Sequence, residues 1–203
     1  MIIITPIMLK RIFTSRTFLV IETSYLLAFP LILLRFKPDL IHIRLFVLIA
    51  SLIYIFFVIR SQKITLKRLG LKPENWPHSI KTILRPTIFS MLLILIIFFR
   101  HRDWLAIPLL VEEIKTPSIL VSVFTYIFIS APLQEFIYRG YLISRLELVS
   151  ANKFFLKLYS AVFFMLIHTA FSNWFLTVGS FILGWWWVGH FLEYRNIFIL
   201  MLS

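Results

Sequence analysis

The stretch Ser130-Ala131-Pro132-Leu133-Gln134-Glu135-Phe136-Ile137-Tyr138-Arg139-Gly140 decides how this chain is read. Directly before it, Ile119 to Ile129 carries no charge and has the composition of a membrane helix. The stretch then sets a carboxylate and a guanidinium four residues apart. On insertion scales, one ionised side chain near the bilayer centre costs about 2.5–3.5 kcal/mol. Two of them, with the amide of Gln134 alongside, need a compensating arrangement. With the acid N-terminal at i and the base at i+4, Glu135 and Arg139 can pair on one helix face. The same pair can frame a polar site inside the membrane.

Working outward, the whole chain is built for lipid. It has 203 residues, 60% of them apolar, with 22 phenylalanines and a mean hydropathy of +0.92. Soluble domains are typically about 45–50% apolar. The expected fold is therefore an all-α polytopic integral membrane protein. About 20 apolar residues cross a bilayer, which places spans near 17–35, 40–60, 83–100, 118–149, 154–171 and 174–192. These make six full spans and a truncated last helix, since the segment from Asn196 to Ser203 is too short to cross. Residues 1–203 read as a single membrane domain. Met1 to Leu9 is apolar ahead of the first basic residue, the reverse of a signal peptide. With no cysteine, a disulfide framework, a thiolate nucleophile and a thiolate metal site are excluded.

The net charge of +12 reads as a positive-inside signal with attraction to anionic lipids, and not as nucleic-acid binding. If the N-terminus is cytoplasmic, fourteen of the 21 Lys and Arg fall on the inner side and six on the outer, with Arg139 inside the membrane. That bias sets the N-terminus inside and Glu112-Glu113 in an outer, solvated loop. The polar run from Ser61 to His78 reads as a basic connector lying on the surface, with Trp76 at headgroup level. Glu22, His42 and Arg44 read as structural charges. His78, His101 and His190 read as spectators, and Trp185 to Trp187 as a packing or interfacial belt.

The fourth segment is too long for one straight span, and Pro132 is expected to kink it. Irregular helices at membrane depth are tolerated where they are buried in protein or line a watery cavity. The next span holds Phe163-Phe164-Met165-Leu166-Ile167-His168-Thr169. The turn joining these two helices is centred between Ala151 and Asn152, and Glu135 and His168 are equally far from it in sequence. Each lies roughly 14 residues, about 21 Å, from the inner end of its helix. A carboxylate and an imidazole at one level can hold and deprotonate a water, the minimum for general-base hydrolysis.

Gln134-Glu135-x-x-x-Arg139-Gly140 followed by Phe164-x-x-x-His168 resembles the CPBP family of intramembrane proteases, relatives of the CAAX prenyl-protein endopeptidase. That family carries EExxxR on one span and FxxxH on the next. The run Gly184 to Ile197 is similar to the family's penultimate segment. The motif-bearing core covers 118–203, and 1–117 is similar only in being variable and hydrophobic, with a Leu69-Gly70-Leu71 basic loop. The resemblance implies a helical bundle with a polar cavity opening to the cytoplasmic side, in a prokaryotic cell membrane. It implies hydrolysis of a peptide bond in a membrane-associated or prenylated substrate by a glutamate-activated water.

Carried over residue by residue, Glu135 and His168 are catalytic, and Gln134, Arg139 and Phe164 support them. The first family glutamate is replaced here by Gln134, whose amide cannot accept a proton at neutral pH. The family's last motif, a histidine with Asn or Asp four residues on, does not occur before Ser203. No HExxH is present. Glu135 and His168 are too few ligands for a zinc site, so no cofactor is assigned, and the resemblance leaves a divalent metal open. Two other readings stand beside the peptidase. One is a catalytically degenerate relative that binds a membrane peptide as an immunity or scaffolding protein. The other is a small transporter, for which no inverted repeat speaks.

Overall fold

Long apolar runs bounded by polar turns become helices throughout the computed structural model, which describes residues 12–36, 44–71, 76–100, 124, 126–169 and 172–203. In order these are α1 (Arg16–Phe36), α2 (Arg44–Ser61), α3 (Trp76–Arg100), α4 (Ala131–Glu135), α5 (Leu142–Leu146), α6 (Lys153–His168), α7 (Trp174–Tyr194) and α8 (Ile197–Met201). Two wide-turned π segments, π1 (Tyr126–Ser130) and π2 (Phe136–Tyr141), join with α4 and α5 into one helical rod. Among the described residues there is no strand. Glu112-Glu113, His42 and His101 lie outside the described residues.

Three asparagines start the three C-terminal helices. Asn152 Oδ1 accepts from the amides of Phe154 and Phe155, Asn173 Oδ1 from Leu176, and Asn196 Oδ1 from Ile199. An N-cap of this kind answers amides that have no partner inside the helix. The core lies where π2 and α5 meet α6, α7 and α8, around Tyr138, Leu146, Leu156, Val188, Phe191 and Ile197.

Two helices are long and apolar enough to cross a membrane, over Trp76–Ile97 and Trp174–Tyr194. The α3 span turns most of its apolar side chains outward, Phe89, Met91 and Ile96 being 57%, 66% and 60% exposed. Water would penalise such a face, whereas lipid would not.

Two expectations are corrected. The third helix begins at Trp76 and not near residue 83. Pro77 falls in its first turn, where a missing N–H removes no helix bond. The run from Ser61 to His78 is not simply a surface connector, because its middle docks under the core. Ile64 and Leu69 are buried, Ile197 donates its amide to Gly70 O at 3.1 Å, and Ser144 Oγ donates to Arg68 O at 3.0 Å. Gly70 makes this docking possible. Its φ is +73°, and a Cβ there would sit 2.5 Å from Phe191 Cε2.

Candidate active site

The rod from Tyr126 to Leu146 carries the acid and the base. Pro132 lies one residue into α4, just after the wide turns of π1. Its missing N–H orphans a carbonyl in an ordinary helix, and a wider turn shifts the register so that the following amide can serve that carbonyl. A second wide segment, π2, follows Glu135 and contains Arg139. The break foreseen at Pro132 is thus expressed as two π segments flanking Glu135.

Glu135 and Arg139 pair with each other, Oε1 to Nη1 at 3.1 Å. They are 5% and 0% exposed. The guanidinium lies over the Phe164 ring, 4.1 Å from its centroid, and 5.3 Å from that of Trp187. Phe164 in turn meets Tyr138 and His168 edge-on, at 5.3 and 4.6 Å between centroids. Below this stack Ser160 Oγ donates to Tyr138 O at 3.1 Å and fastens α6 to π2.

His168 Nδ1 is 2.7 Å from the Phe164 carbonyl. A carbonyl only accepts, so Nδ1 carries the proton and the neutral ring holds its lone pair on Nε2. Arg139 and Phe164, which touch, are equally far in sequence from the turn at Ala151-Asn152. Glu135 and His168 each lie four residues further along their helices. Glu135, Arg139, Phe164 and His168 therefore form a continuous series of contacts across the hairpin. Gln134 is half-buried next to Glu135.

The cluster is polar but incompletely satisfied. Glu135 Oε2, Tyr138 Oη, Arg139 Nε and Nη2, and Trp187 Nε1 are buried without a hydrogen-bond partner among the described residues. Buried polar atoms are seldom left so, and a cluster of them marks a place built for something other than packing. Among the described residues, no three His, Asp or Glu side chains gather into a group that could hold a metal ion.

Sequence reading alone passed over Trp187, which closes the cation–π cage on Arg139; within Trp185-Trp186-Trp187 nothing distinguishes it. A second buried cluster was also hidden. Arg145, counted above with the inner-side cations, is 0% exposed and pairs with Glu22 through Nη2–Oε2 at 2.5 Å and Nε–Oε2 at 3.1 Å. Tyr141 Oη and Tyr54 Oη also donate to Glu22 Oε1, the latter at 3.1 Å. His190 is likewise no bystander to packing. It is buried, and its Nε2 lies 2.9 Å from Ser79 O, tying α7 to α3.

Two cavities lie elsewhere. One of about 490 Å³ runs between α3 and α7, and one of about 290 Å³ lies at the ends of α6 and α7. Neither has Glu135 or His168 in its wall.

Residues 116–203 fit the family model of Type II CAAX prenyl endopeptidase Rce1-like proteins. No curated protein matches the chain, and no solved structure does. The matched segment contains the whole Glu135–His168 hairpin, and together with the two apolar helices it marks a membrane protein. Residues 116–203 of this chain, then, are similar to the CAAX proteases through their match to the Type II CAAX prenyl endopeptidase Rce1-like family model.

Proposed function

We propose that the protein is an intramembrane endopeptidase of the CAAX type, in which Glu135 and His168 activate a water against a peptide bond. The observation that carries this reading is the pairing of two features on adjacent helices. Glu135 keeps one carboxylate oxygen, Oε2, without a partner among the described residues, while His168 is held in the tautomer that leaves Nε2 as base.

In this mechanism the water oxygen attacks the scissile carbonyl carbon and its proton passes to Glu135 or to His168 Nε2. The carbonyl π bond opens to an oxyanion, and the collapse of the tetrahedral intermediate breaks the C–N bond. The stored proton leaves with the amine. Arg139 anchors Glu135 and adds positive charge near the developing oxyanion. Its planar guanidinium is positioned by Phe164 and Trp187. Gln134 supplies an amide donor that can hold the water or the carbonyl.

The proposed setting is a six-span bundle with a cytoplasmic N-terminus, opening towards that side in a prokaryotic inner membrane. Its substrate is a prenylated or membrane-associated peptide. The test is cleavage of prenylated peptides by the purified full chain. Glu135→Gln and His168→Ala should each lower kcat by at least about 10²-fold, the lower range for loss of acid–base catalysis. Cleavage that survives both substitutions overturns the assignment.

Gln134 itself favours a second reading, a relative that holds a membrane peptide without cutting it. Under that reading the unsubstituted chain binds the peptide uncut, and Gln134→Glu produces cleavage.

A further inference from the structure

The cavity between α3 and α7 combines features that the peptidase reading does not use. Arg85 lies ten residues into the apolar helix α3, exposed and in no ion pair among the described residues. An arginine at such depth is costly unless something meets its charge. Glu193, near the end of α7, lines the same groove, is also exposed, and is not in an ion pair among the described residues. The two opposite charges share a groove of about 490 Å³ without closing on each other. That size falls within the ~300–1,000 Å³ range of small-molecule sites.

Their order along the helices is informative. The helices are antiparallel, and His190 of α7 meets Ser79 of α3, so Glu193 lies nearer the helix ends than Arg85 does. Beyond Arg85 the wall turns apolar, with Phe89 and Trp186 in edge-on contact at 6.4 Å between ring centroids. From the rim inward the groove therefore offers an anion, a cation and an aromatic slot.

We propose that this groove is a binding site for a zwitterionic phospholipid with a primary ammonium headgroup. Glu193 accepts hydrogen bonds from the ammonium, Arg85 takes the phosphate through its forked donors, and an acyl chain lies along Phe89 and Trp186. Arg85 extends towards the headgroup level while its stem stays on the apolar wall. The proposal rests on the membrane reading of α3 and α7 and is independent of the peptidase reading, because no residue of the Glu135–His168 hairpin takes part.

The test uses the full chain in mild detergent, without peptide substrate. It is mixed with equal amounts of phosphatidylethanolamine, phosphatidylcholine and phosphatidylglycerol of the same acyl chains, and retained lipid is read by native mass spectrometry. Phosphatidylethanolamine should be retained about tenfold over phosphatidylcholine, whose quaternary ammonium cannot donate a hydrogen bond to Glu193. Glu193→Gln should abolish that preference while lipid is still retained, and Arg85→Gln should lower retention of all three. Both side chains are exposed, so neither variant opens the core. Equal retention of phosphatidylethanolamine and phosphatidylcholine by the unsubstituted chain overturns the proposal, and so does stronger retention of phosphatidylglycerol. A preference that persists in Glu193→Gln, or retention unchanged in Arg85→Gln, overturns it as well.

Discussion

Arg139 and Arg145 are both fully buried on the same rod, yet their surroundings differ in kind. Arg145 meets a carboxylate through two nitrogens, and that carboxylate also accepts from two tyrosines. Arg139 has one contact to its acid and otherwise faces rings. A buried pair whose carboxylate is engaged this fully is a structural element, even with Arg145 Nη1 left without a hydrogen-bond partner among the described residues. Breaking it by removing one partner costs about 3–5 kcal/mol because the other charge is left stranded. Glu22→Ala should therefore lower stability by about 3 kcal/mol or more in reversible detergent unfolding, by the same reasoning. Arg139→Lys keeps the charge but loses the planar stack on Phe164. It should depress cleavage far more than stability, and equal losses of both would reduce Arg139 to a structural residue. The Glu135–Arg139 pair was legible in the sequence because its partners stand one helical turn apart. Glu22 and Arg145 stand on helices separated by most of the chain, and nothing local announces their meeting.

Short connections made the helices of the Glu135–His168 hairpin readable as a unit. The brief turn from α5 to α6 fixes the register, so counting from Ala151-Asn152 sets Glu135 level with His168. The contact the structure shows in that register is one turn nearer the connection, Arg139 over Phe164. The segment before α3 gave no such handle. Its basic, polar composition points to solvent, while its role depends on a backbone contact, Ile197 to Gly70 O. The one local signal was Gly70, whose φ of +73° suits a residue without a side chain. Gly70→Val would both strain the backbone and drive a methyl into Phe191. It should cost about 1–3 kcal/mol in the same unfolding measurement, as overpacking does. If stability is unchanged, the loop is not docked as described. π1 and π2 were beyond sequence reading, since a proline announces a break but not the wider turns that absorb it.

At the scale of the whole molecule, the charge distribution must agree with the burial pattern. Fourteen cations were assigned to the inner side, but Arg145 is paired with Glu22 in the interior and does not face the membrane surface. Removing it leaves thirteen against six, so the bias behind the proposed cytoplasmic N-terminus persists. In the proposed orientation the α3 helix runs from an inner end at Trp76 to an outer end at Arg100, and at 1.5 Å per residue its length of about 37 Å exceeds the ~30 Å hydrocarbon core. The chain contains no cysteine, so single cysteines can report sidedness without background. Ser61 and Arg100 are both exposed and lie at opposite ends of the path through α3. In intact cells an impermeant maleimide should label Arg100→Cys and leave Ser61→Cys unmodified until the membrane is opened. Labelling of both from one side would mean that α3 does not cross. The reverse pattern would keep the crossing and invert the orientation, placing the proposed lipid groove, whose rim is at Glu193, in the outer leaflet.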